Sequence, residues 1–94
     1  MKSVRRFQDY LKGQLKNEEF RKSYEEESVY ADLAGQIARI REHKGLSQKR
    51  LAQLLHTSPQ MVSRLEDPQN ASYSLKTLIK LARALGKELR IKFV

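Results

Sequence analysis

Apolar residues recur at helical spacing from Val29 onward. Val29, Leu33, Ile37 and Ile40 fall on one face, Ser28 is available as N-cap, and the pattern stops at EHKGLS, where Gly45 suits a C-cap. A second helix is predicted in SQKRLAQLL: Ser47 caps it, Leu51 and Leu55 lie one turn apart, and Ala52 is the small residue on the same side. HTSP interrupts it, with Ser58 and Pro59 placed as N-cap and first helical residue of a third helix that buries Val62 and Leu65 and ends at Leu65 or Glu66. DPQNAS reads as a loop. Ser74 then opens a fourth helix with Leu75, Leu78, Ile79, Ala82 and Leu85 on one face, closed by Gly86.

The flanks follow other rules. In KELRIKFV, Leu89, Ile91 and Phe93 alternate with Arg90 and Lys92, a period of two that suits a half-buried strand. Its neighbour has to be an N-terminal segment, a second copy of the chain, or another protein. Ahead of Val29, helix-compatible spacing at Phe7 and Leu11 and at Phe20 and Tyr24 predicts one or two short helices, weakened at Gly13 and Asn17. The expected organisation is a helical leader over 1–28, a helical domain over 29–86 and a strand over 87–94. No internal repeat or low-complexity tract is present.

Charge sharpens the picture. The chain has 94 residues, 19 Lys and Arg against 11 Asp and Glu, and a net charge of +8. One modest core is possible at this size, hiding roughly 60 to 65% of the unfolded surface. A basic balance favours an anionic partner: nucleic acid, a membrane surface or an acidic protein. The excess is uneven, since residues 17–34 hold two basic residues against six acidic ones, while the rest of the chain is basic.

Several classes drop out. There is no Cys, so disulfides, thiolate metal sites and a Cys nucleophile are excluded. His43 and His56 lack a third ligand at metal spacing, and Asp9, Asp32 and Asp67 lack a motif pairing them with either His. With no Gly-rich phosphate loop either, neither an enzyme nor a bound cofactor is expected. No stretch approaches the roughly 20 apolar residues of a membrane span. MKSVRRF is basic enough to begin a signal peptide, but QDYLKGQLKNEEF follows where an apolar stretch would have to lie, so the expectation is a cytoplasmic protein.

Two short helices joined by a tight turn, the second offering compact hydrogen-bonding side chains, form a helix-turn-helix pattern. A helix lying in the major groove needs small residues at its N-terminal end, where phosphate is also favoured, and Thr57 and Ser58 fit that place. An amide can pair with adenine, a guanidinium with guanine, and an apolar group can touch the thymine methyl. Gln60, Arg64 and Met61 have those abilities, and Ser63 shares their face, opposite Val62 and Leu65. Lys49, Arg50, Lys76 and Lys80 serve either solubility or phosphate contact.

LSQKRLAQLLHTSPQMVSRLE followed by SLKTLIKLARALG resembles the Cro/C1-type (XRE-family) helix-turn-helix domain. The likeness covers Leu33 to Gly86 and implies an all-α bundle of four to five helices, in which Leu46 to Leu55 braces Ser58 to Glu66 in the groove. It also implies that Gln48 reaches a phosphate or supports Gln60 and that Glu66 is structural, held by a nearby Arg; of the four cations, Lys49 is counted with the DNA-binding residues for its charge. Two positions depart from the family pattern. His56 stands where Gly is usual and so needs a left-handed conformation, and the loop DPQNASYS is about one residue longer than the common form.

The flanks are in turn similar to HigA-type antitoxins, on the leader NEEFRKSYEEESVYADLAGQIARIREHKGLSQ and the ending LARALGKELRIKFV. This narrower likeness implies a homodimeric repressor that binds double-stranded operator DNA and neutralises a basic RelE/HigB-type ribonuclease toxin. Phe20, Tyr24, Glu25, Glu26 and Tyr30 would face the toxin, and Leu89, Ile91 and Phe93 would form the dimer contact. The other reading of the same motif is a stand-alone XRE-family regulator without a toxin.

Overall fold

A computed structural model of the chain describes residues 8–11, 13 and 17–94, of which 8–11 and 13 are helical. Phe7 lies outside the described residues. Four longer helices follow: α1 (Glu18–His43), α2 (Gln48–Leu54), α3 (Pro59–Leu65) and α4 (Leu75–Ala84).

α1 starts eleven residues earlier than the apolar pattern predicts. Its N-cap is Asn17, whose side chain accepts a hydrogen bond from the Phe20 N–H at 3.2 Å. From Glu18 to Glu27 the chain is mostly Glu, Lys and Arg with no Gly or Pro, so nothing stops the helix. Ser28 is an interior residue and not a cap; its hydroxyl donates back to the Tyr24 carbonyl at 2.7 Å. The expected boundary between residues 28 and 29 therefore falls inside a helix. Residues 21–29 are exposed throughout and Val29 is 65% exposed, because the bundle that covers this face of α1 reaches only as far as Tyr30.

The core is formed by Ile37 of α1, Leu51 and Ala52 of α2, Val62 and Leu65 of α3, Leu81 of α4, and Leu85 just beyond it. Leu33, Ile40, Leu46, Leu55, Tyr73, Leu78 and Ala84 pack around it. α4 departs from its predicted face. At 100° per residue, Leu75, Leu78, Ile79, Leu81, Ala82 and Leu85 span an apolar arc of about 160°. Only one edge of that arc, Leu78, Leu81 and Leu85, turns inward; Leu75 (54% exposed) and Ile79 (38%) lie on the free edge.

Three helices end alike. After α1 the Leu46 N–H bonds to the Arg41 carbonyl and the Gly45 N–H to that of Glu42; after α4 the Lys87 N–H bonds to Ala82 and the Gly86 N–H to Arg83. Gly45 and Gly86 sit at φ +70° and +65°. This is the Schellman closure, which needs a left-handed residue one place past the cap. α2 closes in the same way, Thr57 N–H to Ala52 and His56 N–H to Gln53, but with His56 at φ +56°. The strain foreseen at that position is present.

The strand expected over residues 87–94 does not form: among the described residues no segment is a strand. Alternation supplies a face, but a strand also needs an edge to pair with, and the rest of the described chain is helices and loops.

Candidate nucleic-acid interface

α3 is held by its two apolar positions and presents the rest. Val62 and Leu65 are buried, while Gln60, Met61, Ser63 and Arg64 are exposed. Seven residues rise about 10 Å, a length that fits within a major groove about 12 Å wide. The Ser58 hydroxyl caps the helix by accepting from the Met61 N–H at 3.2 Å, which leaves its proton free to donate outward. Thr57, in the turn, is exposed.

The far end of α3 is pinned by one carboxylate. Glu66 accepts from Arg41 Nε at 2.6 Å and Nη2 at 3.0 Å, and from Gln48 Nε2 at 3.2 Å. Arg41 also donates to the Leu46 carbonyl at 2.8 Å. Thus α1, the start of α2 and the end of α3 meet at a single polar knot, whose Arg and Glu side chains are only 12% and 7% exposed. Hydrogen bonding to Glu66 raises the Arg41 pKa above its ordinary value, against the opposing effect of burial. The Gln48 amide, expected to reach a phosphate or to support Gln60, donates to Glu66.

Tyr73 was not legible as a site residue, yet it fixes the other side. Its hydroxyl donates to the Leu65 carbonyl at 2.6 Å, tying the loop after α3 to that helix's last turn, and its ring stacks on Tyr30 at 6.4 Å. Burial, with Asp67 nearby, raises its pKa above the ordinary phenol value. Only the spacing from Leu65 to an isolated aromatic in a polar loop could have hinted at this.

Exposed cations stand on α2, α3 and α4. Lys49, Arg50, Arg64 and Lys76 are exposed, and none is ion-paired with another described residue. The residues expected to face a protein partner divide into two sets. Phe20 and Tyr24 stack on each other at 6.4 Å along α1, with Glu25 and Glu26 exposed nearby and Glu25 3.9 Å from Arg21. Tyr30 is half-buried against Tyr73 and lines a cleft of about 620 Å³ with Glu26, Glu27 and the loop residues Pro68 and Gln69. Of the residues expected at a dimer contact, Leu89 is half-buried while Ile91 and Phe93 are 64% and 100% exposed.

Among the described residues, no three His, Cys, Asp or Glu side chains are grouped to hold a metal, and no helix is long and apolar enough to cross a membrane. No curated protein and no solved structure matches the chain. The sequence profile of the helix-turn-helix family matches residues 37–92, from the last two turns of α1 through all of α2, α3 and α4. By that match, which takes in the whole α2–turn–α3 unit and its brace, the chain belongs to the helix-turn-helix family of Cro/C1 type, the DNA-binding transcription regulators.

Proposed function

We propose that the protein is a sequence-specific, homodimeric repressor that reads operator DNA with α3 and also acts as an antitoxin. The observation that carries the DNA reading is the exposed set Gln60, Met61, Ser63 and Arg64 on a helix pinned at its C-terminal end by Arg41 through Glu66 and by Tyr73 through the Leu65 carbonyl. Gln60 suits adenine and Arg64 guanine, Met61 the thymine methyl, and Thr57, Ser58 and Lys49 the backbone phosphates. Two copies would place α3 in major grooves about 10 bp apart or a multiple of that. The dimer seam fits the free edge of α4, where Leu75, Ile79 and Ala82 form a groove with Leu89 and Ile91. In a pair of copies the two 87–94 segments would supply each other with the missing strand edge.

Duplexes selected from a random pool test this reading. Gln60→Ala should cost about 1 to 3 kcal/mol at one base position, and Lys76→Ala should weaken all sequences alike while flattening the salt slope. If both changes affect selected and random duplexes equally, α3 does not read sequence.

The antitoxin role is supported by the likeness of the flanks to HigA-type proteins and by the exposed acidic surface of α1. A RelE/HigB-type ribonuclease, being basic, would meet Glu25 and Glu26 beside Phe20 and Tyr24. Co-purification with the product of the adjacent gene, lost on Glu25→Lys/Glu26→Lys, is the expected result. With no co-purifying ribonuclease, the stand-alone regulator is the correct reading.

A further inference from the structure

The turn that carries His56 lies against the second half of α4. Between them is an open cleft of about 590 Å³, floored by Leu54, Leu55 and Ala84 and rimmed by His56, Lys80 and Arg83. Leu54 is 40% exposed, and neither Lys80 nor Arg83 is ion-paired with another described residue. The two cations stand three apart on one helix face, where like charges repel, above apolar surface left in water. A ligand relieving both costs needs an apolar tip ringed by carboxylates.

Such a feature exists on α1. Val29, 65% exposed, has Glu25, Glu26 and Asp32 at four and three residues before and three after it, all on its own helix face and all exposed. It is an apolar knob among three acids, opposite in shape and in sign to the cleft. The two cannot meet within one chain, because α1 runs unbroken from Val29 into Ile37, which is fixed in the core.

We infer that the Val29 knob of one copy docks in the Leu54–Lys80–Arg83 cleft of a second copy. Knob and cleft are different patches, so the contact is head-to-tail. Each copy keeps one of each free, and the contact can be repeated. It differs from the symmetric seam proposed along α4, with which it shares Arg83 alone among the lining residues, and it would let copies on neighbouring sites of one duplex reinforce each other. A basic protein bound to the α1 carboxylates would displace it.

Sedimentation velocity without DNA tests the contact separately from operator reading. The full chain is run at low salt and again at about 1 M, where the screening length falls to about 3 Å. The expected result is species larger than two copies that grow with concentration and vanish at high salt. Glu25→Lys/Glu26→Lys/Asp32→Lys and Lys80→Glu/Arg83→Glu should each weaken this association at least about tenfold. Mixing the two variants should restore it, since a basic knob then meets an acidic cleft and an acidic knob a basic one. Val29→Ser, which leaves every charge in place, should weaken it as well. The inference is overturned if the wild type never exceeds two copies, if either reversal associates as the wild type does, or if mixing recovers nothing.

Discussion

The polar knot at Glu66 yields the sharpest stability prediction. Glu66→Ala removes the acceptor of three hydrogen bonds and leaves Arg41, 12% exposed, with the Leu46 carbonyl and the exposed Glu42 at 3.6 Å as its remaining partners. Breaking a buried ion pair from one side costs about 3 to 5 kcal/mol. Because Glu42 compensates in part, about 2 to 4 kcal/mol is expected here. Against a total of about 5 to 14 kcal/mol for a chain of this size, that is a large fraction. Urea unfolding at neutral pH measures it, and the melting temperature should fall by about 8 to 30 °C. Arg41→Met should cost about as much, whereas the pair Arg41→Met with Glu66→Leu should recover to within about 1 kcal/mol of the wild type, because neither charge is then left buried alone. A loss below about 1 kcal/mol for Glu66→Ala, or a double variant as unstable as the sum of the singles, would refute the account of the knot.

Other consequences are simpler. His56→Gly should stabilise by about 0.5 to 1 kcal/mol in the same assay, since a left-handed L-residue costs about 1 to 2 kcal/mol and Gly returns part of that as lost chain entropy; no gain would mean that the His side chain repays its strain. Leu81→Ala should cost about 2 to 4 kcal/mol and Ile79→Ala under about 1 kcal/mol in a dilute monomer, reversing the ranking if the wrong edge of α4 has been assigned to the core. Tyr73 should make stability fall in alkali. Its folded pKa lies above the ordinary value, so from about pH 10 upward the unfolded chain loses a proton that the folded chain keeps, and stability declines until the folded value is passed. Comparing denaturation midpoints from pH 8 to about 11 should show this slope in the wild type and a smaller one in Tyr73→Phe.

Much of this molecule is written in short-range signals. Ser47, Ser58 and Ser74 each cap the helix they precede, Pro59 occupies a first turn, and Gly45 and Gly86 close helices, because capping depends only on residues three to five places apart. For the same reason the exposed face of α3 and the left-handed His56 follow from sequence. What the chain alone did not decide concerns partners distant in sequence. Which Arg meets Glu66 depends on folding α1 across α3, 25 residues apart, and the bond from Tyr73 to Leu65 depends on the path of a loop. The apolar arc of α4 is too wide for one neighbour, and only packing shows that Leu81 turns inward while Leu75 and Ile79 stay outside. Residues 87–94 carry the alternation of a strand without being one, because periodicity belongs to a segment and pairing belongs to two.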